Sequence, residues 1–365
     1  MEHYTGTKPV AASHAFDTAA LQAHLERELP GFRGPLVVEQ FKGGQSNPTY
    51  KLLTPGRAYV MRSKPGPAAK LLPSAHAVDR EFRVMKALAG SGVPVAQMHL
   101  LCTDEAVIGR AFYVMEFMDG RVLWDQALPG MTPAGRGALY DEMNRVIAAL
   151  HSVDVNAVGL ADYGKPGNYF ERQIGRWSKQ YLASITEPIE EMDRLIEWLP
   201  EHIPTGARDE SQVRVVHGDF RLDNLVFHET EPRVIAVLDW ELSTLGHPLA
   251  DFSYHCMAWH IEPGTFRGIN GLDHAALGIP GERDYVRRYC ERVGRATGHA
   301  LDADTVMADW NFYLAYNLFR LASITQGIAK RVVDGTAASA QARACLLYTS
   351  PSPRDRTRSR MPSSA

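Results

Sequence analysis

Short apolar runs bounded by turn residues dominate the first third of the chain, and apolar positions at helical spacing dominate the remainder. Residues 36–41 have strand character and lead into Gly43-Gly44-Gln45-Ser46-Asn47-Pro48, a strong turn signal. Two further strands are predicted over 49–54 and 57–62, joined by Pro55-Gly56. Ser74 then predicts a helix cap, with Val78, Phe82, Met85 and Ala89 recurring at helical spacing before Gly90 and Gly92. After Pro94, apolar runs at 95–102 and 111–118 complete a small sheet carrying one helix.

Thr132 followed by Pro133 predicts a capped helix whose apolar stripe is Met143, Val146, Ile147 and Leu150. Helical patterns follow over 169–185 and 188–199, a β interlude over 213–238 interrupts them, and helices resume over 285–294 and 305–329. The stripe Trp310, Phe312, Tyr313, Tyr316 and Phe319 has the spacing of a packed helix face. The expected organisation is an N-terminal extension at 1–30, a mostly β lobe at 31–118, a connector near Glu116 to Gly120, and a mostly α lobe at 119–345 with one embedded hairpin. Residues 346–365 are rich in Ser, Pro, Arg and Thr with little to bury, and predict a disordered tail. Within it, 347–355 looks like translated adaptor sequence; the arginines alternatively suit a tail for an anionic partner.

Composition narrows the function. A chain of 365 residues that is 45% hydrophobic has material for a packed core in two domains or lobes. Its 39 Lys and Arg against 42 Asp and Glu give a net charge of -3, which argues against a nucleic acid or an acidic membrane as main partner. No apolar run is long enough to cross a bilayer, and the first residues lack the order of a signal peptide, so a cytoplasmic location is expected. Cys102, Cys256, Cys290 and Cys345 fall in no metal-ligand spacing and read as free thiols.

The chemistry is concentrated in Val215-Val216-His217-Gly218-Asp219-Phe220-Arg221-Leu222-Asp223-Asn224 and Val237-Leu238-Asp239-Trp240-Glu241. A strand delivers His217-Gly218-Asp219 into a loop, Asn224 opens a second strand, and a turn at 229–232 returns a third. Pairing Asn224 with Asp239 would centre the turn between Glu231 and Pro232, bringing an amide oxygen and a carboxylate together with Asp219 nearby. Such hard oxygen ligands suit Mg²⁺, which takes few protein ligands beside phosphate and water. A further carboxylate can accept a proton from an attacking hydroxyl. The order Asp, four residues, Asn, then a later Asp is the kinase arrangement of base, metal-binding Asn and metal-binding Asp. His217, after an apolar strand, reads as a structural residue that fixes the loop.

At these motifs the sequence resembles the aminoglycoside phosphotransferase and choline kinase branch of the protein-kinase-like fold, over about residues 35 to 330. Asp239-Trp240-Glu241-Leu242-Ser243-Thr244-Leu245-Gly246-His247-Pro248-Leu249-Ala250-Asp251 looks like the subgroup whose kinase-like domain is fused to, or encoded near, acyl-CoA dehydrogenases. The resemblance implies an α+β, bilobal fold with a small β-rich N-lobe for nucleotide and a larger, mostly α-helical C-lobe. It implies ATP and Mg²⁺ as cofactors, Asp219 as catalytic base, Asn224 and Asp239 as metal ligands, Glu241 as a supporting or second-metal group, and Asp251 as structural. Gly43, Gly44, Gln45, Ser46 and Asn47 would cover phosphates with backbone N–H groups. Arg62 stands in register with the strand lysine of kinases, with Lys64 two residues on as the other candidate cation. Glu81 resembles the helix glutamate that pairs with that cation, and Glu116 and Met118 match the connector that meets adenine.

The function so implied is transfer of the ATP γ-phosphoryl group to a hydroxyl of a small molecule. An aminoglycoside enzyme should surround its acceptor with excess carboxylate, whereas 253–320 carries nearly balanced charge, with Arg287-Arg288 beside Tyr285 and Tyr289. A neutral or anionic acceptor, with hydroxyacyl-CoA preferred to an aminoglycoside or other small alcohol, fits that balance and the dehydrogenase-associated resemblance. A functional link with an acyl-CoA dehydrogenase is the partner it suggests. A metal-dependent phosphohydrolase would want further His and Asp ligands. A non-catalytic nucleotide-binding scaffold remains the reading that Arg62 in the lysine position keeps open.

Overall fold

The computed structural model describes residues 6–42, 47–66, 77–165, 167–264 and 267–335. Residues Gly43 to Ser46 of the glycine-rich turn, the Ser74 cap, Cys345 and the predicted tail lie outside them. By internal contacts the chain forms two compact units, one of residues 1–164, 214–245 and 258–303, the other of 165–213, 246–257 and the residues after 303.

The first unit opens on strand β1 (Thr7–Lys8), helix α1 (Thr18–Glu28), and strands β2 (Val37–Phe41), β3 (Thr49–Leu53) and β4 (Ala58–Ser63). Helix α2 (Val78–Leu88) and strands β5 (Met98–Cys102) and β6 (Phe112–Glu116) follow. The six strands make one sheet in the order β1-β2-β3-β4-β6-β5, with antiparallel neighbours throughout. Helix α1 was not legible in the apolar pattern. Asp17 caps it, its Oδ1 accepting the N–H groups of Ala19 and Ala20 at 2.9 Å each. Its Leu21 and Leu25 pack with Tyr50, Leu52, Tyr59, Met61, Phe112 and Val114 from one face of the sheet. Alternation along a strand sends the intervening residues to the opposite face. Arg62 of β4 and Tyr113 of β6, cross-strand partners in register, therefore point away from that core. Both reach Glu81 of α2.

Strand β7 (Arg121–Val122) and helix α3 (Pro133–His151) come next, the helix capped as predicted by Thr132, whose Oγ1 accepts the Gly135 N–H at 3.1 Å. Helices α4 (Tyr169–Leu182) and α5 (Glu190–Glu201) precede strands β8 (Arg214–Val216), β9 (Leu225–Phe227) and β10 (Val234–Val237), then β11 (Thr244–Gly246). A three-stranded sheet runs β10-β9-β7, and β11 pairs with β8. The remaining helices are α6 (Pro248–Cys256), α7 (His274–Leu277), α8 (Glu282–Thr297), α9 (Ala303–Ala308) and α10 (Trp310–Val333). In the first unit α8 packs on α3, where Asn144 Nδ2 donates to the Tyr285 carbonyl at 2.9 Å.

In the second unit α10 packs against α4, α5 and α6. The aromatic stripe is core, as its spacing indicates: Phe170 meets the rings of Phe312, Tyr313 and Tyr316 at centroid distances of 5.3, 5.7 and 5.1 Å. Two differences from the sequence pattern have local causes. The single helix expected over 305–329 is broken at Asp309, whose ψ of 4° leaves the helical region. Helix α6, unassigned in the sequence, starts with the same cap-then-proline signal as α3: His247 Nδ1 accepts the Leu249 N–H at 3.3 Å and Pro248 takes the first position. No described helix is long and apolar enough to cross a membrane.

Candidate functional site

Strand β8 ends at His217-Gly218-Asp219, and each of the three has a distinct local reason. Gly218 has φ +81°, and a Cβ there would lie 2.9 Å from the Leu242 carbonyl oxygen. Only glycine lets this loop press against the turn that follows Asp239. His217 is fully buried. Its Nδ1 accepts the Asp219 N–H at 3.2 Å while Nε2 donates to the Leu238 carbonyl at 2.8 Å, which fixes one tautomer. The ring also meets Trp240 edge-on at 4.8 Å. The histidine thus ties the Asp219 loop to the residue before Asp239, the structural role expected of it.

The Asp219 carboxylate is held from two sides. Asn224 Nδ2 donates to its Oδ2 at 3.0 Å and to the Asp219 carbonyl at 2.8 Å. Arg221 approaches both carboxylate oxygens, Nε at 3.0 Å from Oδ1 and Nη2 at 3.0 Å from Oδ2. With its amide nitrogen so engaged, Asn224 presents Oδ1 as a hard acceptor. The hairpin register is one residue off the expected pairing. Leu225 faces Val237, and the Leu238 N–H donates to the Asn224 carbonyl at 2.8 Å, so Asn224 faces Leu238. An irregularity between Val234 and Ala236 shifts the ladder by one residue toward the expected pairing without reaching it. Asp239 lies one residue beyond the ladder at φ 64°, ψ 61°, a left-handed conformation that aspartate tolerates better than most residues.

Asp239 is gathered with the sheet by Arg62. The guanidinium Nε lies 3.1 Å from Glu81 Oε2, and Nη2 lies 2.7 Å from Asp239 Oδ1 and 3.1 Å from Glu241 Oε2. Glu81 is 1% exposed at its side chain, not on the solvated face where a helix glutamate is usually found. It accepts from Tyr113 OH at 3.0 Å and from Asn47 Nδ2 at 2.9 Å. Burial pushes its carboxyl up, to about 7, against the opposing pull of Arg62 and the Tyr113 hydroxyl. For Arg62, burial alone lowers the pKa, but Glu81, Tyr113, Asp239 and Glu241 together outweigh it and raise the net value. Removing one member of such a buried pair costs about 3–5 kcal/mol, because the other charge is left uncompensated.

The other predicted residues are placed as follows. Asn47 is buried and spends its amide on Glu81. Lys64 lies one residue past β4, its N–H bonded to the Ala111 carbonyl at 3.0 Å. Glu116 ends β6, its N–H donating to the Gln97 carbonyl at 2.9 Å and its carboxylate 3.8 Å from Arg57. Met118 is half-buried just beyond. Gly120 is required where the chain crosses β9, since a Cβ would fall 2.3 Å from the Phe227 carbonyl. Arg287 and Arg288 are paired with Asp284 and Asp141 on exposed ground, while Tyr285 and Tyr289 are fully buried. That cluster is a helix surface over core.

Sequence reasoning missed Tyr113, Tyr163, Arg221, Asp223 and Arg267. Tyr163 OH lies 2.7 Å from Ser243 Oγ and 3.2 Å from the Arg80 carbonyl, with the Arg80 guanidinium over its ring at 4.3 Å. Proximity of Arg221 and Asp223 to Asp219 in the chain was the available signal; nothing in the sequence marked the tyrosines. Asn224 Oδ1 and the Asp239 carboxylate are oxygen atoms of the kind that could hold a hard divalent cation taking few protein ligands. Among the described residues no group of three or more His, Cys, Asp or Glu is arranged to hold a metal.

An antiparallel sheet with its helix-borne Glu81 and strand-borne Arg62, followed by the Asp219, Asn224 and Asp239 segments, defines an α+β fold of the protein-kinase-like class. The chain belongs to the phosphotransferase enzyme family, whose model matches residues 37–299. It is 46% identical over 341 residues to mouse acyl-CoA dehydrogenase family member 10, covering 92% of this chain and 30% of that protein. With rat acyl-CoA dehydrogenase family member 11 it is 43% identical over 339 residues, covering 91% and 42%. The chain thus spans less than half the length of these relatives. A crystal structure from Ralstonia eutropha, provisionally described as an aminoglycoside phosphotransferase, is 62% identical with a TM-score of 0.81, over 92% of this chain and 95% of the other. Choline kinase from Cryptosporidium parvum shares the fold, at 12% identity and a TM-score of 0.61 over 91% and 94%.

Proposed function

We propose that this phosphotransferase is an ATP-dependent small-molecule kinase whose acceptor is a hydroxyl, preferably that of a hydroxyacyl-CoA. The observation that carries the reading is the meeting of Arg62, Glu81 and Asp239 from a strand, a helix and a distant turn. That is the arrangement phosphoryl transfer needs to grip a nucleotide beside its metal. Residues 31–118 then serve the nucleotide and 119–345 carry the catalytic and acceptor-binding groups.

Asp219 accepts the proton of the acceptor hydroxyl as the new O–P bond forms and the bond from the γ-phosphorus to the β-phosphate oxygen breaks, leaving ADP. Arg221 and Asn224 hold its carboxylate in one orientation, which matters more than basicity where positioning dominates. Asn224 Oδ1 and Asp239 would hold Mg²⁺, which when bound neutralises phosphate charge. Arg62, fixed by Glu81, grips phosphate oxygens. Gly43, Gly44, Gln45 and Ser46 cover the phosphates, Asn47 steadies Glu81, and Glu116 and Met118 border the adenine.

Incubation with Mg²⁺-ATP and a panel of alcohols, among them hydroxyacyl-CoA thioesters, kanamycin and choline, tests this. Phosphorylated hydroxyacyl-CoA is the expected product. Phosphorylated kanamycin alone would replace the acceptor, and nucleotide binding without turnover of any alcohol would leave a scaffold.

A further inference from the structure

Beside Asp219 lies a second charged chain that the phosphoryl-transfer machinery leaves unexplained. Asp223, with a side chain only 5% exposed, is approached by two arginines on the same oxygen: Arg221 Nη2 at 3.4 Å from Oδ2, and Arg267 Nη1 in direct ion-pair contact with it. Its Oδ1 is buried without a hydrogen-bond partner. Arg267 is held in place at a cost. Its φ of +57° is left-handed for a non-glycine residue, a strained conformation for a side chain of this kind. A Cβ on the next residue, Gly268, would overlap the Ile261 carbonyl, so the backbone there is pinned. The guanidinium lies over the Trp124 ring at 5.0 Å. Both arginines bury one edge, yet their side chains keep 21% and 28% exposure. A buried carboxylate with shared arginines is a weak source of stability, so strain and burial together are poorly explained by folding alone.

We infer that Arg267, set by Asp223 and stacked on Trp124, is an anion-recognising subsite for the acceptor, and that Arg221 fixes its distance from Asp219. The ligand it fits is a hydroxyl compound bearing phosphate groups at a distance from the hydroxyl, as the CoA moiety of a thioester does. A guanidinium offers such oxygens a bidentate, permanently charged partner. The inference rests on the kinase reading and names the group that selects its acceptor.

The test is calorimetric binding of 3-hydroxybutyryl-CoA and of uncharged 3-hydroxybutyryl-pantetheine to the full chain saturated with Mg²⁺ and AMP-PNP. The wild type is expected to bind the CoA ester more tightly. Arg267→Gln is expected to weaken CoA-ester binding about tenfold or more while leaving the pantetheine ester unchanged. Arg267→Gly, which suits the left-handed backbone, is the second variant and should do the same without loss of folding. Equal binding of the two esters by the wild type, or CoA-ester binding unaffected in both variants, overturns the subsite. AMP-PNP binding separates the two readings: its absence removes the kinase reading and the subsite with it, whereas bound AMP-PNP with no CoA preference removes the subsite alone.

Discussion

The Tyr163 hydroxyl stands 2.7 Å from Ser243 Oγ, and through that contact helix α2 and the turn after Asp239 are held as one piece. Tyr163 also lies 3.2 Å from the Arg80 carbonyl on α2, one residue before Glu81, while Ser243 Oγ donates to the Trp240 carbonyl at 2.5 Å. Glu81 and Asp239, both paired with Arg62, thus have their supporting backbones tied together by a buried tyrosine.

Tyr163→Phe keeps the ring beneath Arg80 and removes only the hydroxyl. Stability should fall by about 1–2 kcal/mol, the scale of a buried polar group losing its partner. Turnover should fall by about tenfold, because Asp239 and Glu81 lose their common frame. Thermal denaturation with steady-state kinetics measures both; unchanged kcat would confine Tyr163 to packing.

Asp219→Asn should lower kcat by about 10²–10⁴-fold, the usual share of general base catalysis. Nucleotide affinity should be nearly intact, since Asp219 is assigned to the acceptor. Fluorescent-nucleotide titration beside single-turnover kinetics separates the two, and retention of most of the rate would take the base role from Asp219.

Asp239→Ala should weaken Mg²⁺-ATP binding as well as rate, because it deletes a charged ligand. The Mg²⁺ concentration for half-maximal turnover is expected to rise; an unaltered Mg²⁺ dependence would refute the metal assignment.

Glu81 gives a pH signature in the ligand-free protein. Its folded carboxyl is pushed by burial from the unfolded value of 4.5 to about 7. Between those values the folded state binds more protons than the unfolded one, so this group's contribution is complete below pH 4.5 and is lost as pH rises through 7. Glu81→Gln removes the group. The stability of wild type relative to Glu81→Gln should therefore decline from pH 4.5 to 7.5, read as the difference in Tm. A flat difference would place the Glu81 carboxyl near its ordinary value.

Much of this was legible in the chain because local rules were obeyed. The β-rich first third, the Thr132-Pro133 start of α3 and the Asp219, Asn224 and Asp239 spacing follow from turn, cap and motif chemistry that acts over a few residues. What failed was long-range or marginal. Helix α1 has only two strongly placed leucines on a polar sequence, and its stability comes from the sheet it covers. The burial of Glu81 depends on Arg62, Tyr113 and Asn47 arriving from other elements, which its own helix cannot reveal. The hairpin register differs by one residue from the turn-centred pairing, which the turn residues alone do not fix, and Arg267 is joined to Asp223 across more than forty residues of chain.

Arg62 touches Asp239 and Glu241 through a single nitrogen, and under the kinase reading this contact would act as a gatekeeper against stray ions. A bare pair of carboxylates would collect whichever hard cation is most abundant. Here a tethered positive charge already pairs with them, and under the kinase reading it would exchange them for other anionic oxygens. An arriving cation accompanied by a triphosphate brings those oxygens with it; a cation alone does not. Under the kinase reading, the ligand-free protein should therefore bind the metal–nucleotide complex in preference to free metal.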